Sequence, residues 1–263
     1  MARKIVITSG KGGVGKTTVS ANLGAKLANL GFKVLLVDTD IGLNNLDVVM
    51  GVENNVVFDI LDVIRGRCRA KQALVADKRH PSLFLLPAPN SDPLGIATAE
   101  KIEEILSGLE HFFDYILIDC PAGLDNGFHR AVSSANEAIV VVTPHVSSIR
   151  DAGKVVARLA SYPLSSVKLV VNRVRGDMLM TGDSIAIEKI IKLLGTNILG
   201  VIPEDDAISA LSAIGAIPYG TSSAKAFAIL AENLHNGTKK IFDCTYRYRG
   251  IAGTIRRNLK RRI

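Results

Sequence analysis

Residues 10–17 read GKGGVGKT and fit the pattern G-x-x-x-x-G-K-[ST]. That pattern makes a phosphate cradle. Its glycines let successive backbone N–H groups turn inward as an anion nest. A helix opening at Lys16 would aim the positive end of its dipole at the same phosphates. Lys16 would reach the β- and γ-oxygens, and the Thr17 hydroxyl would bind Mg²⁺. Asp119 closes the apolar run YILID, a place where a carboxylate holds the shell of that metal. Asp38 and Asp40, in VDTDIG, follow another apolar run and can take metal-bound waters and orient an attacking one. The chemistry offered is hydrolysis of a nucleoside triphosphate, and no Ser–His–Asp or paired-Glu arrangement competes with it.

A second lysine, Lys11, stands inside the same loop. Within one P-loop that position faces out of the cradle, where its own chain gives it no phosphate. It gains a purpose if it reaches a phosphate on another subunit; otherwise it is a solvated surface lysine.

The elements that must carry these residues alternate along the chain. Apolar runs at 4–8, 33–38, 83–87, 115–119, 138–143, 167–172 and 198–203 read as strands. A helical stripe follows the glycine loop and ends at Gly31, and further helical patterns fall at 99–109, 147–161, 184–194 and 223–234. Strands that are apolar throughout are covered on both faces. The fold class expected is therefore α/β, a mostly parallel, doubly wound sheet flanked by helices, of the P-loop NTPase kind. Ligands in such sheets bind beyond the C-terminal strand ends. Gly10–Thr17, Asp38, Asp40, Asp119 and Asn172 all follow strands there. One ATPase domain is expected over 1–235, a linker over 236–246 and a tail over 247–263.

Residues 247–263 hold seven of the 32 Lys and Arg and none of the 25 acids, so the rest of the chain carries 25 charges of each sign. A negatively charged partner is therefore met by the tail. On a helix, Ile251, Ala252, Ile255 and Leu259 share a face, with Arg256, Arg257, Lys260 and Arg261 around the rest. Such a helix lies in the headgroup plane of anionic lipid, each cation contributing about 1 kcal/mol. Its apolar face is small, so two tails on one dimer would bind far better than one. The alternative is a solvated basic C-terminus that touches nucleic acid, against which the neutral body argues.

Three scattered cysteines, with no CxxC pair, fit free thiols in a reducing compartment, and the five histidines lack a metal-binding spacing. No apolar run is long enough to span a bilayer, and no signal-peptide pattern opens the chain. A cytoplasmic protein, reversibly peripheral on the inner face of the membrane, is expected.

The KGGxGKT form around Lys11 resembles the deviant Walker A signature of the MinD/ParA family of P-loop ATPases. The segments VDTDIGLNNLDVVMG, GRCRAKQAL, LFLLPA, IDCPAGLDNGF, TPHVSSIRDAGKV and GVIPED also resemble that family. The resemblance implies ATP and Mg²⁺ as ligands, and a homodimer formed with ATP in which Lys11 contacts the partner's nucleotide. It implies that Gly10, Gly12, Gly13, Val14, Gly15, Lys16, Thr17 and Thr18 hold the phosphates and that Asp40 positions the hydrolytic water. Asp38 and Asp119 would support the metal shell. Asn172, Arg173 and the loop from Pro203 to Asp205 would flank the adenine. Asn45 and Asp151 match positions near the switch regions and the dimer or partner surface.

The function implied is ATP-driven membrane association that places the bacterial division septum, with a division inhibitor (MinC) and an activating, MinE-like factor as partners. A relative that regulates flagellar number and a DNA-partitioning ATPase are the alternatives. A nitrogenase-type reductase would need two positioned cysteines per subunit, and Cys68, Cys120 and Cys244 offer no such pair. The family usually carries acidic residues where His145 and Gly153 stand, on the helix thought to meet regulators.

Overall fold

The computed structural model describes residues 1–208, 220–250 and 253–254. Its strands are β1 (Arg3–Thr8), β2 (Val34–Asp38), β3 (Val75–Ala76), β4 (Leu83–Leu86), β5 (Tyr115–Asp119), β6 (Glu137–Val142), β7 (Ser166–Val174) and β8 (Asn197–Pro203). They form one sheet in the order β3-β4-β2-β5-β1-β6-β7-β8. Every pairing is parallel except that of β3 with β4. The expected parallel, doubly wound sheet is what the chain builds.

The α-helices whose full range is described are α1 (Lys16–Asn29), α2 (Leu46–Met50), α3 (Ile60–Ile64), α4 (Ala99–Leu109), α5 (Asn126–Ser133), α6 (Val146–Leu159), α7 (Gly176–Thr181), α8 (Ile187–Leu194) and α9 (Ser222–Asn236). Period-2 alternation divides each strand between two cores. Val6, Leu35 and Val37 face α3, α4, α5, α6 and α8, whereas Ile5, Ile7, Val34 and Leu36 face α1, α2 and α9. Burial on both sides is why these strands are apolar without a break.

Two helix ends show the local rules at work. Gly31 (φ 93°) lets the chain leave α1, with its N–H donating to the Ala28 carbonyl and that of Phe32 to Leu27. Thr221 caps α9 by accepting from the Ala224 N–H at 3.1 Å.

Residues 237–250 run back over the body. Asn233 donates from Nδ2 to the carbonyls of Leu199 and Lys240 at 2.8 and 2.7 Å, while its Oδ1 accepts from Thr238 and Lys240. The Cys244 carbonyl presses on Gly176 at the start of α7, where an added Cβ would overlap it. Of the residues expected to face a membrane, Ile251, Ile255, Arg256, Leu259 and Lys260 lie outside the described residues. Among the described residues, no helix is long and apolar enough to cross a membrane.

Candidate nucleotide site

Parallel pairing places the C-terminal ends of β1, β2, β5, β7 and β8 at one end of the sheet. β1, flanked by β5 and β6, delivers the glycine loop to the middle of that end. Ser9 starts the loop by donating to the Lys11 carbonyl at 2.8 Å. Gly10 lies so close to the backbone of Asp151 and Ala152 in α6 that any side chain would overlap it. Gly15, at φ 92°, turns the loop into α1 without a side-chain cap. Among the described residues, no acceptor is bonded to the N–H groups of Gly12, Gly13, Gly15, Lys16 and Thr17. These donors are left for a ligand, at the positive end of α1's dipole. Lys16 is buried beside them.

The loop is held from the far side. β7 carries a register irregularity against β8 between Val171 and Val174, and within it Arg173 takes a left-handed φ of 55°. That bulge turns the Asn172 side chain onto the loop, where Nδ2 donates to the Val14 carbonyl at 2.9 Å. Strain at a residue other than glycine persists where the surroundings over-determine it, and such residues cluster at ligand sites.

The acidic side is set by strand register. Asp38 and Asp119 are direct neighbours in the β2–β5 pairing and both are buried. Asp119 accepts from the hydroxyls of Thr17 (Oδ2, 2.7 Å) and Ser20 (Oδ1, 2.7 Å). Asp38 accepts from the backbone N–H groups of Asp40 at 2.9 Å and Leu46 at 3.2 Å, which fixes both ends of the loop before α2. Thr39 ties the same loop to the Asp119 carbonyl through N–H and hydroxyl at 3.1 and 2.7 Å.

Burial pushes both carboxyls above the usual range. For Asp38 the Asp119 charge adds to the rise and the two N–H bonds oppose it. For Asp119 the two hydroxyls and Lys16 oppose it. Asp40, half-buried, is raised by burial too, with Lys16 acting against it.

The donor set suits a hard cation. It consists of carboxylate and hydroxyl oxygens gathered where two acids are buried together. Among the described residues, no group of three or more His, Cys, Asp or Glu could hold a metal by itself. Mg²⁺ is a hard cation of this kind, bound through one or two carboxylates with substrate phosphates completing its shell. Thr17, Asp119, Asp38 and Asp40 would hold it.

On the base side, Gly15, Thr18, Asn172, Arg173, Pro203, Glu204, Asp205 and Asp206 surround a recess of about 140 Å³. Asp205 is already occupied there: Oδ1 accepts from the Ala207 N–H at 3.1 Å, and Oδ2 from the Ser223 N–H and hydroxyl at 3.2 and 2.9 Å. It fastens the start of α9 to the loop and shapes the recess as part of its frame. A groove of about 540 Å³ runs along the outer face of the loop, lined by Lys11, Gly12, Gly13, His145, Arg173 and Arg175 among others. Lys11 is exposed on it, with Nζ at 3.5 Å from Ser147 Oγ.

Asn45 holds the N-cap position of α2, and Asp151, on α6 behind the loop, pairs with Lys154 at 3.0 Å. His145 stands at the N-cap position of α6 with Nδ1 at 3.2 Å from Thr143 Oγ1. Cys120, next to Asp119, is 1% exposed, and burial pushes its thiol up to about 12.

Sequence reasoning missed Ser20. Its signal was spacing, since a residue four after Lys16 shares its helix face, but serine is too common on helices to stand out.

Residues 5–218 match the family model of the CobQ/CobB/MinD/ParA nucleotide-binding domain. The septum site-determining protein MinD of Bacillus subtilis (strain 168) is 49% identical over 210 residues, covering 79% of this chain and 78% of that protein. The MinD of an Aquifex aeolicus MinC:MinD cell division protein complex superposes with a TM-score of 0.84 at 43% identity, covering 91% of this chain and 98% of that one. The septum site-determining protein MinD of Pyrococcus horikoshii OT3, solved with Mg-ADP, gives 0.77 at 35% identity over 89% and 96%. A P-loop hung from the central strand, an acid pair in register beneath it and this likeness along most of the chain lead to one assignment: the chain belongs to the MinD/ParA family of P-loop nucleotide-binding proteins, in its MinD branch.

Proposed function

We propose that this chain binds and hydrolyses ATP with Mg²⁺ and acts as a membrane switch that places the bacterial division septum. The observation that carries this reading is the junction of the P-loop with the acid strand. There Thr17 and Asp119 are bonded at 2.7 Å beneath a row of N–H groups that no acceptor among the described residues takes.

In this reading the N–H groups of Gly10–Thr18, together with Lys16, hold the triphosphate. Bound Mg²⁺ would neutralise charge developing on the transferred phosphoryl group. Asp40 orients the attacking water; burial raises its carboxyl, and the Lys16 charge beside it acts against that rise. Asn172, Arg173 and Pro203 receive the base, with Asp205 holding their loop in place. Lys11, free of the cradle on the outer groove, reaches the nucleotide of a second copy. A dimer closed in this way carries two basic tails, and their joint insertion makes membrane binding depend on ATP. Hydrolysis separates the pair and returns the chain to the cytoplasm.

The MinC:MinD complex of Aquifex aeolicus supports a MinC-type division inhibitor as partner. A MinE-like activator would complete the cycle.

Co-sedimentation with anionic vesicles and with DNA tests this, using ATP, ADP and a chain truncated at Asn236. The expected result is vesicle binding that needs both ATP and the tail. DNA binding that survives truncation would overturn it in favour of a partition ATPase.

A further inference from the structure

We propose that Ser20 is a positioning residue for the metal side of the site: it fixes the rotation of the Asp119 carboxylate so that Thr17 presents its oxygen to Mg²⁺. The inference rests on the Mg²⁺–nucleotide reading given above.

Ser20 lies one turn beyond Lys16 on α1 and is fully buried. Its hydroxyl meets two acceptors, Asp119 Oδ1 at 2.7 Å and the Lys16 carbonyl at 3.1 Å. One hydroxyl has one proton to give. The shorter contact ends on a carboxylate, where a charge-assisted bond is about twice as strong as a neutral one. Ser20 therefore donates to Asp119, and the Lys16 carbonyl is its second choice.

Thr17 donates to the other oxygen, Oδ2, at 2.7 Å. With its proton committed to Asp119, the lone pairs of Thr17 Oγ1 are the part left to face the cradle, as a metal-ligating hydroxyl requires. That arrangement holds while Oδ2 stays in place. A carboxylate pinned at one oxygen turns about its Cβ–Cγ bond; pinned at both it does not. Ser20 supplies the second pin from behind, where Asp119 is 2% exposed and water cannot take over the bond. Lys16, Thr17 and Ser20 sit on little more than the first turn of a helix whose start is fixed by the loop, so they act as a rigid set.

Groups that orient a metal's ligands cost roughly ten- to hundredfold in metal affinity when removed. The test is a titration of Mg²⁺ against a fluorescent ADP analogue bound to the full-length chain. It reads nucleotide affinity without metal and the Mg²⁺ concentration that gives half of the gain in affinity. Ser20→Ala should raise that concentration roughly tenfold or more, with Mg²⁺-free affinity close to wild type and a modest drop in melting temperature from the lost buried donor. Ser20→Thr, which keeps the hydroxyl, should stay near the wild-type Mg²⁺ requirement.

An unchanged Mg²⁺ requirement in Ser20→Ala overturns the proposal. So does a parallel loss of Mg²⁺-free affinity, which would mark a packing role. If the wild-type chain itself gains no affinity from Mg²⁺, the reading of the whole site falls instead, and the two failures are told apart by the wild-type curve alone.

Discussion

Asn172 and Gly15 stand in steric register: a Cβ on Gly15 would meet Asn172 Nδ2 at 2.5 Å, and that same nitrogen holds the Val14 carbonyl at 2.9 Å. The P-loop thus keeps its shape through a side chain 157 positions away, delivered by the bulge in β7. Gly15→Ala adds this collision to the strain of φ 92°, of order 1–3 kcal/mol. Nucleotide binding should fall below detection in a fluorescence titration while the far-UV spectrum stays folded. Wild-type affinity in this variant would show that the contact is unimportant.

Asn172→Ala removes the clamp and leaves the Val14 carbonyl buried without a donor, at about 1–3 kcal/mol. The expected outcome is nucleotide affinity about tenfold weaker, within that range, with a modest drop in melting temperature. Calorimetric titration checks the first quantity and scanning calorimetry the second.

Lys11→Ala should separate binding from association. Nζ makes a surface contact with Ser147, so its loss should change stability by about 0.5 kcal/mol or less. Nucleotide affinity is expected to match wild type, while light scattering with a non-hydrolysable ATP analogue should show monomers. A variant that still dimerises removes the cross-subunit role.

Much of this site was legible in the sequence, and the reasons are local. Between strand and helix, the spacing of Gly10, Gly15, Lys16 and Thr17 leaves little choice of conformation, and Asp119 and Asp38 mark the ends of apolar runs. The acids' adjacency was not legible, because the β2–β5 pairing joins residues 81 positions apart, Asp38 with Asp119. Helices of five or six residues such as α2, α3 and α7 were missed because one turn carries too few apolar positions for a period to show. Asp205 was read by its place in GVIPED, but its use as a tie to Ser223 depends on where α9 begins in space.

Asp77 supplies acid-limb stability to the C-terminal end of α2. Its side chain is fully buried; burial alone would raise its carboxyl, but bonds from His80 and Arg79 outweigh this and hold it well below the usual range. Arg79 also reaches the Met50 carbonyl, so the pair holds the C-terminal end of α2. A depressed folded value stabilises above the ordinary carboxylate value and loses that contribution as pH falls below it. Asp77→Asn should cost about 3 kcal/mol at pH 7. Urea midpoints should place the variant closer to wild type at pH 3 than at pH 7; an equal gap at both would refute the ionic role.

Gly176→Ala should lift the C-terminal segment from α7, since the new methyl overlaps the Cys244 carbonyl. Trypsin cutting at Arg247 and Arg249 is the readout, and faster cleavage than wild type is expected. Arg249 is held to Asp243 at 2.7 Å, so Asp243→Asn should act in the same direction with a smaller effect. Unaltered cleavage in Gly176→Ala would mean that the segment is anchored elsewhere.

The burial of Cys120 behind Asp119 has a practical side. Of the three thiols, Cys120 and Cys244 are buried and pushed up to about 12, leaving Cys68 as the partly accessible one. A thiol-labelling reagent applied to the intact chain will therefore mark position 68 first. Later uptake at position 120 becomes a clock for how often the hydrolytic centre breathes open, readable by mass spectrometry without altering a single residue.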